Sequence, residues 1–125
     1  MTEKTKKLGE RGEDIAAAFL EKKGYKILFR NYTCAFGEID IIAKHKKTLS
    51  FIEVKTRTTK TYGLPQEAVI PAKQAKISRV ALEFIQRYKM ENRAARFDVV
   101  AVQLLPEGAE VNLIENAFEL SGEPI

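Results

Sequence analysis

Two short stretches carry residue types that could do phosphodiester chemistry together: "GEIDIIA", with Asp40, and "FIEVKTR", with Glu53 and Lys55. Two carboxylates can share a divalent cation. A lysine two residues after one of them, on the same strand face, can hold an attacking water and neutralise charge growing on a phosphate. Magnesium, or manganese in its place, suits such a site because it takes a few carboxylate oxygens and fills its shell with water and substrate phosphate. Two carboxylates about 5 Å apart repel by about 3 kcal/mol at an effective dielectric near 20, so the pair calls for a proton, an ammonium or a metal ion.

The pair meets only if the elements place it so. Residues 37–45 and 48–57 alternate as strands do, and a two-residue turn at Lys46-Lys47 would set Asp40 directly opposite Glu53. On that strand Leu49, Phe51, Glu53, Lys55 and Arg57 share one face, and Ile52 and Val54 take the other. Glu38 shares the Asp40 face in a regular strand. Shifting one strand by a single residue would separate the acids. Glu13, at the border of a helical apolar stripe, could add an oxygen; Glu10 lies closer to the outward face. Arg57 extends the strand row and could grip a phosphate. A following helix brings Lys73 and Gln74 to its N-terminus, where anions are favoured.

Around these residues the periodicities predict helix over about 8–23, closed by Gly24, with Ile15, Ala16, Phe19 and Leu20 on one face. "YKILFRN" reads as a strand, then come the two above. "TTKTYGLPQ" is loop by its composition. A helix is predicted from Pro71 to about Met90, with Ile77, Val80, Ala81, Phe84, Ile85 and Tyr88 at helical spacing. "RFDVVAVQLL" is apolar enough for a strand covered on both faces, and "VNLIENAF" closes the series. The order is α-β-β-β-α-β-β, a mixed α/β sheet in which the long connection makes the third and fourth strands parallel.

The 125 residues fit one domain spanning 1–125, and 45% hydrophobic content supports a core. The single Cys34 cannot form an internal disulfide and reads as an ordinary strand residue; with no apolar signal core or membrane-length run, a cytoplasmic setting is expected. Residues 1–96 hold all 21 Lys and Arg against 11 acids, a net +10, while residues 97–125 hold six acids and no base. Such segregation suits a polyanion, and it equally suits a domain kept soluble by lysines. His45, the only histidine, is expected in a turn without ligand duty. Tyr25, Phe29, Phe36 and Tyr62 could stack bases, although aromatics at strand spacing are usually core. "GERGE" lacks the preceding strand that a phosphate-binding glycine loop needs. From these residues alone, a metal-assisted phosphodiesterase and a solvated charged strand face stay equally open.

The stretches "GEIDIIA", "FIEVKTR", "YGLPQEAV", "KQAK", "RFDVVAV" and "ENAF" follow one another in the order and spacing of the YraN-like uncharacterised bacterial proteins. These resemble the archaeal Holliday-junction resolvases of the PD-(D/E)xK nuclease superfamily, over nearly the whole chain. The resemblance implies a restriction-endonuclease-like fold and magnesium-dependent cleavage of structured or branched DNA. It matches Asp40 to the metal-binding aspartate, Glu53 and Lys55 to the (D/E)xK pair, and Glu13 to the first-helix glutamate. It makes the Val54 carbonyl a further metal ligand, and Gln74 a polar position on the following helix. The turn "KHKKT" departs from the Asp-Gly type common in those relatives.

The leading expectation is a metal-dependent DNA endonuclease in which a homodimer would supply two sites for a symmetric junction. A non-catalytic nucleic-acid-binding module of the same fold is its alternative. A third reading has the acidic C-terminal strand bind a protein partner.

Overall fold

The computed structural model describes residues 3–58 and 69–119, with the side chains of residues 3–5 left aside. Helix α1 (Glu3–Lys22) precedes three strands, β1 (Tyr25–Cys34), β2 (Gly37–His45) and β3 (Thr48–Arg57). Helix α2 (Pro71–Arg87) and strands β4 (Ala94–Leu105) and β5 (Gly108–Phe118) complete the chain. The expected order α-β-β-β-α-β-β is therefore what the protein adopts, in the arrangement expected of a restriction-endonuclease-like fold. Most of the "TTKTYGLPQ" segment, Tyr62 included, lies outside the described residues.

One sheet runs β1-β2-β3-β4-β5, antiparallel except for the parallel pair β3 and β4. Helices cover both faces. On one side Ala16, Ala17 and Leu20 of α1 pack on Ile41, Ala43, Ile52, Val100 and Val102. On the other, Ile77, Val80, Ala81 and Phe84 of α2 pack on Ile39, Ile42, Leu49, Phe51 and Val99. Val99 and Val100 thus face opposite layers, as the uninterrupted apolar run of β4 requires. Phe84 is fully buried, edge-on to Phe29, Tyr32 and Phe51 at centroid distances of 5.3–5.8 Å. Burying such a ring contributes about 2–3 kcal/mol.

The helix ends follow from local chemistry. Gly24 takes φ +93° just past α1, a conformation that suits glycine. Pro71 opens α2, where a missing N–H costs nothing. At the other end Lys89 takes φ +54°; its N–H meets the Gln86 carbonyl and the Met90 N–H meets that of Ile85. That pair of bonds is a Schellman closure, so α2 ends at Arg87 rather than near Met90. Helix α1 starts five residues before the apolar stripe that announced it.

Several aromatics settle into the core or its margins. Tyr25 is buried, and its ring stacks on His45 at 4.2 Å. His45 is the last residue of β2 rather than part of the turn, and its Nδ1 lies 3.2 Å from Arg96 Nη2. Phe29 packs on the Phe84 cluster. Phe36, at the tip between β1 and β2, stays 44% exposed. Cys34 is a half-buried strand residue paired with Gly37.

Candidate active site

The β2–β3 hairpin decides the site. His45 pairs with Thr48 and Ile41 with Ile52, which is the register that a turn at Lys46-Lys47 requires. Continuing it by one step sets Asp40 against Glu53, but the regular pairs stop at Ile41 and Ile52. Beyond them the Asp40 carboxylate itself accepts the Val54 N–H, at 2.8 Å. The two acids are thus neighbours, with one side chain standing in for a rung of the ladder.

Strict alternation also fails there. Ile39 packs on the α2 side, whereas Ile41 and Ala43 pack on the α1 side, so the face changes at Asp40. Across from it on β1, Arg30 pairs with Ile41 and Tyr32 with Ile39. The residue between them, Asn31, takes φ +54°. Asparagine visits that region at modest cost, and a single such residue re-aims the strand. Glu38 and Asp40 still line the same cleft, in keeping with the face expected of them, but they differ in setting: Glu38 is exposed and Asp40 is directed at the backbone of β3.

Glu53 is buried, at 6% exposure. Its Oε1 lies 3.6 Å from Lys55 Nζ and 2.5 Å from Lys73 Nζ. Lys73 comes from the first turn of α2, which returns to the end of β3 as the connection predicts. Gln74 beside it donates its side-chain amide to the Val69 carbonyl at 2.7 Å, fastening the entry to α2. From the other layer α1 brings Glu13, whose carboxylate lies 3.9 Å from Arg30 Nη2; the same guanidinium bonds Asp14 at 2.8 Å. Gly12 makes this approach feasible, because a Cβ there would overlap the Thr56 hydroxyl of β3. Glu13, Asp40, Glu53, Val54, Lys55, Arg57 and Lys73 all line one open cleft of about 1140 Å³.

The charges in this cleft strain one another. Burial, and then the charge of Glu53, push the Asp40 carboxyl up to about 7, against the Val54 N–H and Lys73, with Glu13 adding to the rise. Burial also raises Glu13, opposed by Arg30. Lys55 falls below the ordinary lysine value through burial and the neighbouring Lys73 ammonium, although Glu53 and Asp40 oppose this. Burial disfavours the charge of Lys73, yet the hydrogen bond and charge of Glu53, with Lys55 and Asp40, carry it above the usual value.

The donor set fits a magnesium half-site: two adjacent carboxylates, one of them pushed up to about 7 by burial and by its neighbour's charge, which a cation would relieve. It is not a closed cage, since among the described residues no three His, Cys, Asp or Glu side chains converge as metal ligands. The remaining ligands would be water and phosphate.

Sequence reasoning placed Lys73 beside the site as an anion grip and missed its direct pairing with Glu53. It also missed Arg30 and Asn31, which line the cleft. Asn31 carried a readable hint, because asparagine enters the left-handed region several-fold more readily than most other non-glycine residues.

No helix among the described residues is long and apolar enough to cross a membrane. Over residues 12–102 the chain matches the family described as "Uncharacterised protein family UPF0102". It is 54% identical to a UPF0102 protein from Syntrophus aciditrophicus, over 90% of this chain and 89% of that one. It is 52% identical to another from Geobacter sulfurreducens, over 91% and 90% of the two chains. A third, from Caldicellulosiruptor saccharolyticus, is 49% identical over 90% of this chain and 98% of its own. The matched span includes every residue of the cleft named above as a candidate ligand or base, and the chain belongs to the uncharacterised protein family UPF0102.

Proposed function

We propose that this protein is a magnesium- or manganese-dependent endonuclease acting on structured or branched DNA. The observation that carries the reading is the junction of Asp40 and Glu53 in one cleft, with Lys55 and Lys73 at their side. Asp40, Glu53 and the Val54 carbonyl would hold the metal, with Glu13, which faces Arg30, assisting through water rather than as a third side-chain ligand. When bound, the metal would supply Lewis-acid polarisation of the scissile phosphate and a more acidic water.

The chain's own groups do the rest. Val54 N–H orients the Asp40 carboxylate. Lys55, its ammonium held below the ordinary value, positions the attacking water and offsets the negative charge that builds on phosphorus-bound oxygens. Arg57, Lys73 and the α2 N-terminus beside Gln74 favour the flanking phosphates.

The test incubates purified protein with labelled four-way junction, flap, single-stranded and duplex DNA, with and without magnesium or manganese. Cleavage that requires metal and disappears in Asp40→Asn and Lys55→Ala is the expected result. The reading falls if nothing is cut, or if both variants cut like the parent.

A second reading has its own support. Lys73 already places an ammonium on Glu53, which suits a nucleic-acid-binding module that keeps the fold without turnover. It predicts salt-sensitive DNA binding and no manganese heat in isothermal titration, whereas the nuclease reading predicts manganese binding lost in Asp40→Asn.

A further inference from the structure

Among the described residues only Phe36, Ile70 and Tyr88 are large hydrophobics left exposed. Tyr88 leans on the rings of Phe29 and Phe84, at 5.4 and 4.7 Å. Phe36 differs. Its ring carries the guanidinium of Arg79, 4.4 Å from the centroid, and contributes to neither core cluster. Exposing a phenylalanine at a two-residue hairpin tip costs hydrophobic free energy that a polar residue there would avoid.

The tip is held in place. Gly37 takes φ +142°, and a Cβ built on it would sit 3.5 Å from Val80 of α2, so the turn lies close against that helix. Arg79 immediately precedes Val80, and its guanidinium lies over one face of the ring. The platform is therefore backed by two elements of the scaffold.

Its position relates it to the carboxylate pair. Asp40 lies three steps along β2 from Gly37, about 10 Å of strand. Arg79 lies six steps along α2 from Lys73, about 9 Å of helix. Lys76, exposed, stands between them on the same i, i+3, i+6 ridge. Two routes thus lead from the cleft to Phe36, one of them basic along its length. The distance corresponds to about three nucleotides at stacked spacing.

We infer that Phe36, backed by Arg79, is a stacking platform for an unpaired base of a polynucleotide strand whose phosphates run along Lys76 from the carboxylate cleft. A base paired and stacked inside a continuous duplex offers no free π-face to such a ring. A single strand, or a strand opened at a branch, does. This inference rests on the proposed nucleic-acid reading and names the form of strand that the site takes.

The chain has no tryptophan, so Phe36→Trp introduces a unique fluorophore at the platform. In an Asp40→Asn background, chosen because the proposed reading expects it to lack cleavage, this variant is titrated with oligothymidylate, oligouridylate, a continuous duplex and a four-way junction. Anisotropy of a label on the nucleic acid reports binding independently. Binding of a single strand or the junction with quenching of the introduced indole, and binding of duplex without it, is the expected result. The two homopolymers tell DNA from RNA as the source of the base.

Binding of every form with unchanged indole emission would overturn the platform and leave the nucleic-acid reading standing. Absence of binding to any of them at low salt would remove both. Phe36→Ala, checked for folding by circular dichroism, is expected to weaken single-strand affinity by about five- to a hundredfold with little change for duplex. Equal losses on both forms would also overturn it.

Discussion

Lys73 Nζ lies 2.5 Å from Glu53 Oε1, closer than the 3.6 Å of Lys55, which belongs to the same strand as the glutamate. A helix residue distant in sequence thus holds the most buried acid of the cleft. The ammonium occupies ground that a divalent cation would contest. A cation held by Glu53 would leave the Lys73 ammonium without this partner.

Replacing Lys73 by alanine should therefore strengthen manganese binding. The lysine side chain is 42% exposed, so the lost competition is worth about 1 kcal/mol, near a fivefold lower Kd. Isothermal titration of parent and variant measures it. An equal or weaker affinity in Lys73→Ala would show that the ammonium does not compete for Glu53.

Asp40 predicts a pH-dependent stability of definite sign. Its folded value, about 7, lies above the ordinary 3.8, so the folded state binds the proton more tightly than the unfolded chain does. The contribution is fully present below about pH 4 and is lost as pH rises through 7. Asp40→Asn, which keeps an acceptor for the Val54 N–H, should exceed the parent in stability at pH 8 by on the order of 4 kcal/mol. The gap should shrink toward pH 4. Urea unfolding at several pH values checks it, and a gap independent of pH would refute the assignment.

Gly12 predicts a steric cost. Gly12→Ala sets a methyl against the Thr56 hydroxyl and must push α1 off β3. A loss of about 1–3 kcal/mol is expected, as for other overpacked contacts. Gly12→Ala combined with Thr56→Gly should recover part of it, measured by denaturant midpoints. No recovery in the double variant would place the cost elsewhere.

Asp98 predicts a structural defect away from the cleft. Fully buried, it accepts from Ser50 Oγ, Arg96 Nε and the Asn116 N–H. Arg96 also reaches the Tyr25 hydroxyl at 2.6 Å, so one carboxylate ties β3, β4 and β5 and, through Arg96, β1. Asp98→Ala leaves that guanidinium partly buried without its main partner and should cost about 3–5 kcal/mol. Thermal unfolding measures the loss; a change below about 1 kcal/mol would show that the network is dispensable.

Much of this arrangement was legible in the chain itself. The strand and helix order followed from period-2 and period-3.6 patterns, because those patterns are what a sheet between two helices demands of its buried faces. The register of Asp40 toward Glu53 followed from a two-residue turn, since a slip of one residue would have exchanged the layers in which Ile41 and Ile52 pack, the α1 side for the α2 side. The reading of Asp98 as part of an apolar strand hid its role: a single acid inside "FDVVAV" shows nothing of Ser50, Arg96 and Asn116, which meet it from other elements.

Local rules of alternation and turn length were enough to say which acids and which lysine of β2 and β3 would be neighbours. They could not say that Asp40 would leave the alternation and take the Val54 N–H, opposite a left-handed Asn31 on the neighbouring strand. Three-dimensional packing alone put Lys73 on Glu53 and left Phe36 in solvent under Arg79. Those relations join residues far apart in the chain, where position comes from packing of whole layers and no short-range pattern records it.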